Sequence, residues 1–66
     1  MTTHVGRLLD RHTATGRCIL RVQDDYGTCL DVRVDFEDSA AAADLYGGAC
    51  VHWTYRGGRA FWLGVR

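Results

Sequence analysis

Strict alternation of apolar and polar residues marks the segment 28–36, TCLDVRVDF, as the clearest strand in the chain. One face carries Leu30, Val32, Val34 and Phe36, and the other carries Cys29, Asp31, Arg33 and Asp35. A period of two is what a strand with one buried face requires. The segment 17–23, RCILRVQ, alternates in the same way but leaves Ile19 on its polar face. The two segments therefore predict neighbouring strands of one hairpin.

The register of this hairpin follows from the glycine that ends its loop. We take the loop as residues 25–27, with Gly27 in the left-handed conformation that a three-residue hairpin requires. The predicted pairs are Val22 with Leu30, Leu20 with Val32, Cys18 with Val34, Arg21 with Asp31 and Arg17 with Asp35. Apolar residues then face apolar residues and opposite charges meet, which a slip of one residue would destroy.

Two further segments complete the first two thirds of the chain. Residues 4–11, HVGRLLDR, predict a first strand in which Gly6 marks a bulge or a sharp bend. Residues 37–48, EDSAAAADLYGG, predict a short helix of about eight residues, since four alanines favour a helix. Asp38 or Ser39 is its expected N-cap and Gly47 its expected stop. A helix this short needs a packing partner, so we expect it to cover one end of a barrel. The packing residues would be Leu45 with Ala41 or Ala42, together with Tyr46.

The last segment, residues 49–66, predicts a second hairpin with two alternative registers. A two-residue Gly57-Gly58 turn places Trp53 opposite Trp62. A three-residue loop, 56–58, places Trp53 opposite Phe61 and leaves Trp62 on the outer face. We favour the three-residue loop because it gathers most of the large apolar residues on the inner face. These residues are Val51, Trp53, Phe61, Leu63 and Val65.

Three strands in a meander, a short helix and a closing hairpin are the layout of a small five-stranded oligonucleotide/oligosaccharide-binding (OB) barrel. The element order, with the glycine pair 47–48 just before the fourth strand, resembles compact bacterial OB-fold proteins. The predicted class is mostly β, and residues 1–66 are expected to form a single domain. An SH3-like barrel, with the helix reduced to a turn, is the alternative.

Composition adds a neutral charge and a small size to this picture. Eight arginines balance seven aspartates and one glutamate, and residues 49–66 carry three arginines and no acid. A neutral chain lacks the strong field of proteins that bind nucleic acid tightly. A chain of 66 residues has marginal stability and gains from a partner. No signal pattern or membrane-length apolar run is present, so we expect a cytoplasmic protein without membrane association. The odd number of cysteines, three, favours buried, reduced thiols.

The candidate binding residues lie mainly on the second hairpin. An exposed Trp62 could stack a base or anchor a protein interface, with His52 beside it on the next strand. Arg56 and Arg59 flank the glycine tip and could grip phosphate or carboxylate. The outer-face residues Ile19 and Arg33 extend the candidate surface. The structural alternatives are a core position for Trp62 and simple solvated charges for the arginines.

Metal, cofactor and catalytic sites are not expected. Cys50 and His52 share a face, and Cys29 with His12 or His4 would have to join them to hold zinc. Cys50 is better explained as a small apolar filler. No spacing assembles a nucleophile, a base and an oxyanion donor, so we expect a non-enzymatic protein without a cofactor.

The sequence thus predicts a protein-interaction module or homodimer that uses the outer face of the second hairpin. Marginal size and stray outer apolar residues favour this function. The alternative function is weak binding of single-stranded DNA or RNA through the aromatic residues and arginines of the same hairpin. The residues alone do not identify the partner.

Overall fold

The chain folds into a small closed β-barrel. The structure, a computed structural model, describes residues 2–14 and 16–64. Its elements are β1 (His4–Ala14), β2 (Arg17–Asp24), β3 (Cys29–Arg33), a 3₁₀ turn (Phe36–Asp38), α1 (Ser39–Ala42), β4 (Cys50–Arg56) and β5 (Arg59–Trp62). The strands close in the order β1-β2-β3-β5-β4, with β1 beside β4. The β3 and β5 strands run parallel and meet where Arg33 lies opposite Phe61. The predicted mostly-β, five-stranded OB-like barrel with one short helix is confirmed.

The β2–β3 hairpin has the predicted register. Val22 lies opposite Leu30, and Leu20 lies opposite Val32. Gly27 has a φ of 85°, the left-handed conformation expected for it. The predicted pair of Arg21 with Asp31 is also present, with 3.2 Å between Nη1 and Oδ1.

The predicted pair of Arg17 with Asp35 is wrong. The β3 strand ends at Arg33, before the alternation of the sequence does, and the chain then turns into the 3₁₀ segment. Asp35 consequently leaves the ladder, and its carboxylate accepts hydrogen bonds from Arg56 instead.

The β4–β5 hairpin closes through a two-residue turn, so the favoured three-residue loop is wrong. Trp53 lies opposite Trp62 and Arg56 lies opposite Arg59. Gly57 and Gly58 have φ values of 57° and 78°. Such a tight turn needs positive φ at both central residues, and a glycine pair meets this need without a steric penalty. The register places both tryptophans and the small side chain of Ala60 in the core.

The core lies inside the barrel and receives residues from all five strands and from the helical segment. It consists of Leu8, Leu20, Val22, Val32, Ala42, Ala49, Val51, Trp53, Ala60 and Trp62.

The β1 strand has a register shift between Leu8 and Asp10. Of the two features predicted at Gly6, a bulge or a sharp bend, the bulge lies further along the strand. Gly6 instead allows a close approach, because a Cβ atom there would lie 2.5 Å from the Gln23 carbonyl oxygen and 2.7 Å from Trp53 Cη2.

The helix is shorter than predicted, and a side chain of β1 forms hydrogen bonds with its C-terminal end. Ala42 is fully buried in the core, and Ala41 and Leu45 pack against it, as predicted, while Tyr46 is exposed. Arg11 Nη1 donates to the carbonyl oxygens of Ala42, Ala43 and Leu45, at 3.0, 2.9 and 3.0 Å. The arginine thus satisfies carbonyl groups at the end of α1, which ends at Ala42 rather than near Gly47. Asp38 lies at the N-cap position but makes no side-chain capping bond.

Candidate functional site

A cleft of about 490 Å³ lies on the outside of the barrel, where β2, β3 and β5 adjoin the turn after β3. Its lining includes charged, aromatic and apolar side chains, namely those of Arg17, Ile19, Arg33, Phe36, Arg59 and Phe61. Its rim includes Gly16 from the β1–β2 connection and Arg59 from the end of the β4–β5 turn. In OB barrels, ligands bind on the face of the second and third strands, between these same two loops.

Three of the lining residues form a row across β2, β3 and β5. Ile19 lies opposite Arg33 in the β2–β3 ladder, and Arg33 lies opposite Phe61 in the β3–β5 pair. Neighbouring strands are about 4.8 Å apart, so an apolar group, a guanidinium and an aromatic ring follow one another at that spacing. The row explains the apolar residue that the sequence places on the outer face of β2.

A salt bridge forms one edge of the cleft. Arg56 Nη2 donates to both carboxylate oxygens of Asp35, at 2.9 and 3.1 Å. The Arg56 guanidinium carbon also lies 3.8 Å from the centroid of the Phe61 ring. Arg56 therefore neutralises Asp35, the acidic residue of the cleft lining, and covers one face of Phe61. The three lining arginines, Arg17, Arg33 and Arg59, are left to define the charge of the cleft.

Phe36 provides an unusually exposed ring at the cleft edge. Its side chain is 88% exposed, although the alternation of residues 28–36 predicts it on the inner face. The reason is the early end of β3, after which Phe36 opens the 3₁₀ turn. Ser39 Oγ donates to the Phe36 carbonyl oxygen at 2.7 Å and thereby ties down this turn. Sequence reasoning missed Phe36, Phe61 and Arg17 as site residues, because strand length and strand closure decide where they lie.

Four of the six predicted site residues lie in or beside the cleft. Ile19, Arg33 and Arg59 line it, and Arg56 borders it through Asp35. The prediction of an exposed Trp62 is wrong: its side chain is 4% exposed and belongs to the core, because the tight turn brings it opposite Trp53. His52 is exposed but lies outside the cleft, opposite Val5 in the β1–β4 ladder.

The thiols and histidines do not assemble around a common point. Within residues 2–14 and 16–64, no three His, Cys, Asp or Glu side chains group so that they could hold a metal ion. All three cysteines are free thiols. Cys18 is half-buried, whereas Cys29 and Cys50 are exposed, so the expectation of buried thiols and of Cys50 as an apolar filler is wrong. None of the helices in the described part of the chain has the length and apolar character to cross a bilayer.

Comparisons with protein-family models, with curated proteins and with solved structures found no match to this chain.

Proposed function

We propose that this protein binds single-stranded nucleic acid in the cleft formed by β2, β3 and β5. The observation that carries the proposal is that one cleft combines three arginines with two aromatic rings. The arginines are Arg17, Arg33 and Arg59, and the rings are those of Phe36 and Phe61. Guanidinium groups hold phosphates, and aromatic rings stack bases at about 1–3 kcal/mol per base. The position of the cleft matches the ligand face of OB barrels, which supports the proposal by analogy of fold.

The neutral net charge of the chain is compatible with this function at modest affinity. The acids are distributed unevenly, and Asp35, the acid at the cleft, is already paired with Arg56. Arg21, outside the cleft, is likewise paired with Asp31. The cleft thus presents a local excess of positive charge on a chain whose distant field is weak, so binding should be weak and strongly dependent on salt.

The test is the binding of fluorescently labelled single-stranded DNA and RNA of about eight nucleotides, a length within the range of one OB barrel. Anisotropy would be measured at low salt and then across a salt series. Phe36→Ala should weaken binding by about 1–3 kcal/mol, because it removes one stacking ring. Arg33→Gln should weaken binding and flatten the log–log salt slope by about 0.7, because it removes one phosphate contact.

Two matched variants control for general effects of charge and aromaticity. Tyr26→Ala removes a ring that is 94% exposed, on the β2–β3 loop outside the cleft. Arg7→Gln removes an exposed arginine on β1 that does not line the cleft. Both should leave binding nearly unchanged. Absence of binding at low salt, or equal losses in the cleft variants and the control variants, would refute the proposal.

A protein-interaction or homodimer function is the second candidate, and one observation favours it. Val5 and His52 lie opposite each other on the outer face of β1 and β4, and both are exposed. A partner that covers this face would bury them. Light scattering tests self-association: a dimer that Val5→Asp dissociates would support it, and a monomer at all concentrations would argue against a homodimer.

A further inference from the structure

The Arg56 side chain makes its contacts with two residues of the cleft, Asp35 and Phe61. Its Nη2 atom is engaged by both Asp35 oxygens, and its guanidinium lies on the Phe61 ring. The side chain of Arg56 is nevertheless 53% exposed, and that of Asp35 is 33% exposed. Arg56 is thus within reach of an anion that arrives from solvent, and its pairing with Asp35 decides whether it is available to that anion.

A second, more open hollow of about 440 Å³ adjoins the cleft at this point. It is bordered by Asp35, Arg56, Gly57, Arg59 and Phe61, and it shares three of these residues, Asp35, Arg59 and Phe61, with the cleft. The salt bridge therefore lies on the border between the two hollows. A strand that continued from the cleft into the second hollow would pass the Arg56–Asp35 pair.

We propose that Asp35 acts as an internal competitor for Arg56 and so limits the number of phosphates that the site holds. This inference rests on the proposed function and concerns its regulation by the chain's own carboxylate. A phosphate that reached Arg56 would have to displace the Asp35 carboxylate and leave it unpaired beside another anion. The bound strand is therefore held by Arg17, Arg33 and Arg59, and Arg56 stays on Asp35 and Phe61.

The consequence is unusual: removal of an acidic residue should create a phosphate contact at a named arginine. Asp35→Asn keeps the shape of the side chain and an oxygen acceptor but removes the charge that holds Arg56. One added phosphate contact steepens the log–log salt slope by about 0.7. An affinity gain that is absent at about 1 M salt then reaches about eightfold at about 50 mM salt. We expect Asp35→Asn to bind an eight-nucleotide strand about fivefold to tenfold more tightly at low salt.

The experiment is a double-mutant cycle on Asp35 and Arg56, with the labelled oligonucleotide as the probe. Arg56→Gln alone should give no gain in affinity and no steeper salt slope, because it removes the arginine and leaves the Asp35 carboxylate unpaired in the cleft lining. In the Asp35→Asn background, Arg56→Gln should abolish the whole gain and restore the original salt slope. Tryptophan fluorescence during urea denaturation checks that each variant is folded, since loss of an exposed ion pair costs at most about 1 kcal/mol.

Asp31→Asn is the matched control for charge. It removes the same charge from a second exposed Arg–Asp pair, whose arginine, Arg21, does not line the cleft. An equal gain in Asp31→Asn and Asp35→Asn would overturn the inference, because the gain would then reflect net charge alone.

The failures of the two proposals are distinguishable. Binding by the unmodified chain that depends on Arg33, with no gain in Asp35→Asn, would overturn the competitor role and leave the proposed function intact. Absence of binding in the unmodified chain and in Asp35→Asn would overturn both. A gain that survives Arg56→Gln would also overturn the competitor role, since the extra contact would then lie elsewhere.

Discussion

Gly6 offers the sharpest test of the packing inside the barrel. An alanine Cβ atom at this position would lie 2.5 Å from the carbonyl oxygen of Gln23 and 2.7 and 3.0 Å from two ring carbons of Trp53. Ordinary contacts are about 3.3 Å for carbon with oxygen and about 3.5–4.0 Å for two carbons. The overlap is therefore about 0.8 Å on two sides at once. Neither neighbour yields easily, because Gln23 contributes a backbone atom of the β1–β2 ladder and Trp53 is 1% exposed.

The magnitude follows from two opposing effects. Overpacking of this kind costs about 1–3 kcal/mol and occasionally more. Replacement of a strand glycine by alanine raises the free energy of unfolding by about 0.5–1 kcal/mol, because alanine loses less conformational freedom on folding. The overlap with a backbone atom places the cost at the upper end, so we expect Gly6→Ala to lower the free energy of unfolding by about 2–3 kcal/mol. A domain of 66 residues has only about 3–10 kcal/mol in total.

The assay is urea denaturation followed by tryptophan fluorescence, since both tryptophans are buried and report the loss of the core. In thermal unfolding followed by the same fluorescence, the melting temperature should fall by about 10–20 °C. Gly47→Ala is the matched control, because a Cβ atom there would meet nothing within 4 Å and its φ is not positive. It should change stability by less than about 1 kcal/mol. Equal stability of Gly6→Ala and Gly47→Ala would refute the close approach of Gly6 to Trp53.

Two further predictions concern side chains whose roles only the fold reveals. Arg11→Met keeps most of the side-chain length but removes the three hydrogen bonds to the carbonyls at the end of α1, so urea denaturation should show a loss of about 1–2 kcal/mol. Arg21→Met, which removes one exposed ion pair, should cost less than about 1 kcal/mol, and an equal loss in both variants would contradict the role of Arg11 as a helix tie. Trp62→Ala should cost about 3–5 kcal/mol in the same assay, because Trp62 is a core residue. If the Trp62→Ala variant kept full stability, the core position of Trp62 would be contradicted.

The candidate site shows how far local pattern extends. Alternation alone predicts Arg33 and Ile19 on the outer face, and they lie opposite each other there. The same alternation predicts Phe36 on the inner face, but Phe36 is exposed because β3 ends three residues earlier. Alternation determines the face of a residue only as long as the strand continues, and the sequence carries no mark at Arg33 that ends it.

The two hairpins separate what the sequence by itself determined from what only the tertiary structure decided. The β2–β3 register could be predicted because its apolar pairs, its charge pairs and Gly27 all agree on one alignment. The β5 strand carries a large apolar residue on each face, Phe61 and Trp62, so alternation does not fix which of them is interior, and the three-residue loop that the sequence favours puts Phe61 there. Closure of the barrel decided between them. In the closed barrel Trp53 lies against Gly6, and Phe61 lies outside, where Arg33 is opposite it on β3 and Arg56 covers one face of its ring.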